Sequence, residues 1–158
     1  MYFNDLMANE LFEIKNGYPT SLGYKEVDWD EAKTGDENTT LATFGVNTCV
    51  GVTLYDPNIQ KGVLAHITCD FDMPISLLPE NLVDSLVERL YGEDKDDYST
   101  LQATIVGNGG FLDRSNDVKT IEDSLKSLNI PIIGKDVGGN YARNILFNCS
   151  TGKVEVYR

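Results

Sequence analysis

The sequence predicts a layered α+β domain, mostly antiparallel strands with two packed helices, and three observations carry that expectation. Two neighbouring runs, "CVGVTLYD" from Cys49 and "GVLAHIT" from Gly62, alternate with a period of two, as strands do. Two other segments, "PENLVDSLVERLYG" and "NDVKTIEDSLKSLN", repeat apolar residues at helical spacing. The remaining apolar runs are short, β-rich and separated by turn residues. A chain of 158 residues suits one core, so a single domain is expected over 1–158.

Taken in order, residues 4–15 are expected to form a short amphipathic helix capped by Asn4, with Leu6, Met7, Leu11 and Phe12 on one side, before the turn signal "NGYP". Residues 16–37 read as irregular and acidic. "LATF" is a strand and "GVNT" a turn leading into Cys49. The two alternating runs are joined by "DPNIQKG", a hairpin connection. With Pro57 to Gln60 as the loop, Val50 pairs with Ile67, Val52 with Ala65 and Leu54 with Val63. A slip of one residue would turn one strand's apolar set against the other's polar face, so this register is specified. Cys49 then faces Thr68, and His66 is its diagonal neighbour on the same face, about 7–8 Å away between backbones.

The first helical segment sets Leu82, Val83, Leu86, Val87 and Leu90 on one face, with Pro79 near its start and Gly92 just past its end. "EDKDDYS" is an exposed acidic loop and "LQATIVGN" a strand. The second helix turns Val118, Ile121, Leu125 and Leu128 inward. "PIIGKDV" and "ARNILFN" are strands, "STGK" a turn and "VEVYR" a final strand. The glycines in "GNGG" (107–110) and Gly138-Gly139 read as turns, because neither pair leads into the helix start with Lys-Ser/Thr that a phosphate loop needs.

Composition excludes some partners. The formal net charge is −12, and Asp and Glu outnumber Lys and Arg 9 to 3 in residues 1–48 and 10 to 3 in 49–100, against 6 to 7 in 101–158. Such a surface serves solubility and repels nucleic acid and anionic lipid. No stretch approaches the ~20 apolar residues that cross a bilayer, and the start carries no basic, apolar leader. A soluble cytoplasmic protein without membrane insertion is expected. Three cysteines, 49, 69 and 149, form neither a disulfide framework nor a CxxC pair. His66 and Cys69 make an H-x-x-C pair, but a metal would need Cys49 or Cys149 to converge on it, so neither metal nor cofactor is expected. Cys69 and Cys149 read as small apolar packing residues.

The register brings the chain's only histidine beside Cys49. A thiol is only slightly ionised at neutral pH and needs a base beside it to act as a nucleophile. His66 is that base on one reading, taking the proton as sulfur attacks a carbonyl and returning it to the leaving group. Thr43, Thr53 and Thr68 are the nearby groups able to fix its tautomer. On the other reading both are core residues of a hairpin.

A resemblance separates these readings. "LATFGVNTCVGVTLYDPNIQKGVLAH" and "LNIPIIGKDVGGNYARNILFNCSTGKVEV" resemble the chemoreceptor glutamine deamidase family, CheD, over about residues 40–68 and 101–158. The matching motifs are Thr43, the tripeptide Asn47-Thr48-Cys49, "VTLYD", "GVLAH", "IPI", the D-x-G-G-x-x-x-R run from Asp136 to Arg143, and "TGKV". The resemblance implies a layered α/β/β sandwich, with Cys49 as nucleophile, His66 as general base and acid, and Thr43 as orienting group. It further implies conversion of a partner protein's exposed glutamine to glutamate through a thioester, with the main-chain N–H of Cys49 facing the oxyanion and Asn47 and Thr48 shaping the substrate loop. The partner would be a chemoreceptor-like helix. Two alternatives keep the fold: an effector deamidase acting on a host protein, secreted without a cleavable signal, and a catalytically silent binding module. The chain departs from the pattern where the family's Gly-Ser is Asn47-Thr48, where "TCDFDMP" follows the histidine, in a divergent N-terminal extension (1–37), and in a divergent acidic helix and loop (70–100).

Overall fold

In the computed structural model, which describes residues 10–20, 23–70, 72–92, 97–110 and 115–158, the hairpin forms in the expected register. Its strands are β5 (Val50–Asp56) and β6 (Lys61–Ile67), and Val50, Val52 and Leu54 stand opposite Ile67, Ala65 and Val63. The other strands are β1 (Phe12–Lys15), β2 (Lys25–Glu26), β3 (Glu31–Gly35), β4 (Thr40–Val46), β7 (Gln102–Gly107), β8 (Ile132–Val137), β9 (Arg143–Asn148) and β10 (Val154–Tyr157). The helices are α1 (Pro79–Tyr91) and α2 (Ser115–Ser127). One sheet runs β3-β6-β5-β7-β8 and the other β1-β10-β9-β4-β2.

The period-two pattern of the hairpin divides two cores. Val50, Val52, Leu54, Val63, Ala65 and Ile67 face Leu82, Leu86 and Leu90 of α1 and Ile121 and Leu125 of α2. Tyr55, Leu64 and Val106 face Leu41, Val46, Ile145 and Phe147 of the second sheet. The result is an α/β/β sandwich. Because β5 is central in its sheet and covered on both faces, all seven of its residues are buried, including Gly51 and Thr53. At Gly51 a side chain is excluded, since a Cβ there would lie 2.6 Å from Ile145 Cδ1 across the inter-sheet gap. Helix α1 starts on Pro79 and stops at Gly92 (φ +74°), and Tyr91 donates to buried Asp56 at 2.5 Å, tying the helix to the end of β5. Among the described residues no helix is long and apolar enough to cross a membrane.

Two expectations about the N-terminal part are corrected. Phe12–Lys15, placed in a helix by the sequence pattern, is strand β1, paired in parallel with β10 from Phe12–Val154 to Lys15–Tyr157. Phe12 packs over Gly134, where a Cβ would fall 2.1 Å from its ring. A sheet edge and a glycine notch, both distant in sequence, override the local helical spacing. Of the rest of that helix, Glu10 and Leu11 are helical, and residues 4–9 lie outside the described residues, as do 93–96 of the acidic loop. Residues 16–37 are not simply irregular: they carry β2 and β3, and β3 pairs antiparallel with β6, Glu31 opposite His66. The segment "EAKTG" has little strand propensity of its own and is held by that pairing.

Candidate active site

Three strands meet around His66. The residue is fully buried on β6, on the face turned toward the second sheet, and Thr43, equally buried on β4, reaches it across the gap. Thr43 Oγ1 lies 2.7 Å from His66 Nδ1 and donates its own proton to the Val27 carbonyl at 2.7 Å. A hydroxyl has one proton to give, so at the imidazole it accepts, and Nδ1 carries the hydrogen. Nε2 is thereby left as a lone pair, buried and without a hydrogen-bond partner among the described residues. Burial pushes the imidazole down to about 4, against the upward pull of Asp30 and then Asp28. At neutral pH the ring is therefore an uncharged base in a fixed tautomer.

The acidic N-terminal segment forms one wall. Asp30, at φ +55°, donates its N–H to the His66 carbonyl (2.7 Å), and its carboxylate accepts from the N–H and hydroxyl of Thr68 (2.8 and 2.9 Å). Trp29, the chain's only tryptophan, is 63% exposed with its ring centroid 6.4 Å from that of His66. Of the three threonines that the sequence offered as orienting groups, Thr43 bonds the imidazole; Thr53 bonds Thr104 (2.5 Å) and Thr68 bonds Asp30.

Cys49 is partly exposed and lies one residue before β5. Since Gly51 stands opposite His66, alternation returns Cys49 to the same face, and it packs against the inter-sheet core. Its turn is built by main-chain bonds from neighbouring loops: Asn108 N–H to the Cys49 carbonyl (2.8 Å), Gly109 N–H to the Asn47 carbonyl (2.7 Å) and Gly110 N–H to the Gly139 carbonyl (2.8 Å). Gly107, at φ +114°, must be glycine, because a Cβ there would sit 2.2 Å from the Cys49 carbonyl oxygen. Behind these loops buried Arg143 on β9 pairs with Asp136 on β8 (2.9 Å) and donates to the Gly138 carbonyl (2.5 Å), strapping the sheets together at this end. The Asp-Gly-Gly-Arg run thus shapes the loops around the thiol rather than a phosphate site.

The other thiols lie elsewhere. Cys69, at φ +63°, packs against the helix-side core, away from the face His66 uses, so the H-x-x-C spacing does not converge. Cys149 is buried between the sheets, and burial pushes its thiol up to about 12. Among the described residues no three His, Cys, Asp or Glu side chains are grouped to hold a metal. Thr48 is partly exposed, and Asn47 beside it holds its Oδ1 buried. The Val27 carbonyl, Trp29, Asp30 and Asn108 join the site without having been singled out in the sequence. A main-chain carbonyl leaves no trace there, whereas the lone tryptophan between two aspartates, "DWD", was a visible irregularity.

A family described as CheD chemotactic sensory transduction matches residues 80–158. The match includes α1 and the acidic loop, which the sequence had set apart as divergent; α1 is half of the helix layer that covers the sheet. A protein of Methanosarcina acetivorans named probable chemoreceptor glutamine deamidase CheD 1 is 30% identical over 123 residues, 71% of this chain and 77% of that protein. A Clostridium botulinum protein named probable chemoreceptor glutamine deamidase CheD is 31% identical over 134 residues, 73% of this chain and 81% of that one. The solved structure of Neisseria meningitidis protein NMB0706 aligns with 89% of this chain and 67% of its own at 10% identity and a TM-score of 0.36, too loose a likeness to inform the site.

Proposed function

Because this chain belongs to the CheD family, we propose that it is a cysteine-dependent protein-glutamine deamidase whose nucleophile is Cys49, whose base is His66 and whose orienting group is Thr43. The observation that carries the reading is the Val27–Thr43–His66 chain of hydrogen bonds, which leaves Nε2 as the one basic atom on the face shared with Cys49.

The steps follow from those groups. Nε2 takes the thiol proton as sulfur adds to the carboxamide carbon of a glutamine side chain. The resulting oxyanion is received by the main-chain N–H of Cys49. The imidazolium formed is offset by the negative charge beside it and by Asp30 and Asp28. It returns its proton to the departing nitrogen, the C–N bond breaks, and ammonia leaves a thioester on Cys49. Nε2 then takes a proton from water as the water oxygen attacks the thioester; the C–S bond breaks, and the imidazolium gives its proton to the departing sulfur, leaving glutamate, the free thiol and the neutral base. Thr43 holds Nδ1–H through both halves, so the ring does not turn between them.

The substrate we assign is a helical receptor segment with an exposed glutamine, and the place of action is the cytoplasm. Incubation with a chemoreceptor cytoplasmic fragment, followed by mass spectrometry, is expected to show amide-to-acid conversion at glutamine that Cys49→Ser abolishes. A fragment left unchanged, or changed equally by Cys49→Ser, would refute the reading and favour a silent docking module.

A further inference from the structure

Among the described residues five buried side-chain polar atoms lack a hydrogen-bond partner: Asn47 Oδ1, His66 Nε2, Thr100 Oγ1, Asn108 Oδ1 and Arg143 Nη1. Native proteins rarely leave such atoms unpaired, and a group of them in one place calls for a ligand. His66 Nε2 is the base already described. Thr100 lies in the turn before β7, and Arg143 sits over the Tyr141 ring, 4.2 Å from its centroid. The two that remain, Asn47 Oδ1 and Asn108 Oδ1, belong to the two loops bonded to the Cys49 turn.

Their main chains fix them there. Asn47 is two residues before the thiol, and its carbonyl accepts from Gly109; Asn108 donates its N–H to the Cys49 carbonyl at 2.8 Å. Asn108 holds φ +55°, a conformation an asparagine tolerates. The loops pack closely on this oxygen, so only glycine fits at 109: a Cβ there would stand 3.0 Å from Asn47 Oδ1 and 2.7 Å from the Gly139 carbonyl. Two buried carboxamide oxygens with no hydrogen-bond partner among the described residues therefore sit in the loops bonded to the Cys49 turn. Asn47 occupies a position where the family resemblance has glycine, so this feature belongs to this chain.

We propose that Asn47 and Asn108 read the substrate's carboxamide, each accepting one N–H of the glutamine side chain, and so make the site selective for an amide over the corresponding ester. This rests on the deamidase reading and adds the chemical class that the site selects. The match is one of complementary groups: a glutamine NH2 offers two donors to two orphaned acceptors. As the C–N bond breaks the nitrogen gains a proton and positive charge, which both oxygens stabilise. A glutamyl methyl ester presents an oxygen with no hydrogen, leaving both acceptors unpaired against its lone pairs, and such a mismatch costs a substrate far more than a change of size.

The test compares two probes, a chemoreceptor cytoplasmic fragment carrying one reactive glutamine and the same fragment carrying the glutamyl γ-methyl ester. For the wild type, Asn47→Gly and Asn108→Gly, kcat/KM is measured on each, with thermal unfolding alongside. Glycine is chosen because it accepts the backbone angle at 108 and is the residue the resemblance places at 47. Each variant is expected to lose about 10–100-fold on the amide while ester hydrolysis is kept or rises, because the mismatch with the ester's lone pairs is relieved. Equal losses on amide and ester, or no loss on either, would overturn the inference and leave the deamidase intact. A wild type inert on both probes would instead sink the deamidase reading, and the inference with it.

Discussion

The two faces of the β3-β6-β5-β7-β8 sheet differ in what they bury. Toward the helices the hairpin presents only Val50, Val52, Leu54, Val63, Ala65 and Ile67. Toward the second sheet the same strands present Tyr55 and Leu64 together with Gly51, Thr53 and His66, opposite Thr43 and Ile145, with Arg143 strapped to Asp136 at the end nearest Cys49. A dry apolar face needs no particular partner beyond the right volume, so it secures the fold. A buried polar face must pair each group, and where it leaves one unpaired it does so at cost, which points to use. Under the proposed function, stability and chemistry lie on opposite sides of one sheet, and substitutions on the two sides should separate them.

The widest separation is expected at His66. His66→Ala should lower deamidation by about 10²–10⁴-fold, the usual weight of a general acid–base group, as read in kcat/KM. On the opposite face Leu54→Ala should do the reverse, costing about 2–5 kcal/mol in denaturant unfolding while activity per folded molecule stays within a few-fold. A Leu54→Ala protein that kept its stability but lost catalysis would break the comparison. Thr43→Val should act on both quantities: a loss of about 1–3 kcal/mol, because Nδ1–H is left buried without an acceptor, and a fall in kcat greater than any change in KM, because the tautomer is no longer held.

A further effect is a pH dependence. His66 is neutral in the fold down to about 4, while in the unfolded chain it takes a proton near 6.5. The unfolded state therefore binds more protons across that window. Above 6.5 the group's contribution is fully present, and as pH falls from there to about 4 it is lost at about 1.4 kcal/mol per pH unit. His66→Gln should flatten that part of the stability curve. Trp29, whose ring lies 6.4 Å from the imidazole, supplies an optical check. Since imidazolium quenches indole more strongly than imidazole does, its fluorescence should fall with a midpoint near 4; a midpoint near 6.5 would show His66 in contact with solvent.

What the sequence made legible was whatever one strand decides for its immediate neighbour. The hairpin register follows from three aliphatic pairs, and with it the face that Cys49 and His66 share. Both helices were visible in their apolar spacing, and Pro79 and Gly92 marked the ends of α1. Choosing among Thr43, Thr53 and Thr68 depended on which sheet lies opposite which face, something that alternation within one sheet does not encode, and only the family resemblance pointed to Thr43. Phe12–Lys15, and the strands inside the 16–37 stretch read as irregular, were misread because their structure is imposed from outside: β1 by β10 and Gly134, β3 by β6, and the Val27 carbonyl and Asp30 by the histidine they surround. Asn108 was hidden in a stretch whose glycines read only as a turn.

The most direct measurement is the rate at which each thiol is alkylated by iodoacetamide at near-neutral pH, resolved by peptide mapping in the wild type and in His66→Ala. Cys49 should be labelled at least about ten times faster than Cys69 and Cys149, Cys149 least of all because burial holds its proton, and the advantage of Cys49 should vanish with the imidazole. Similar slow labelling of all three thiols, or a Cys49 rate untouched by His66→Ala, would contradict a sulfur activated by the histidine that Thr43 holds.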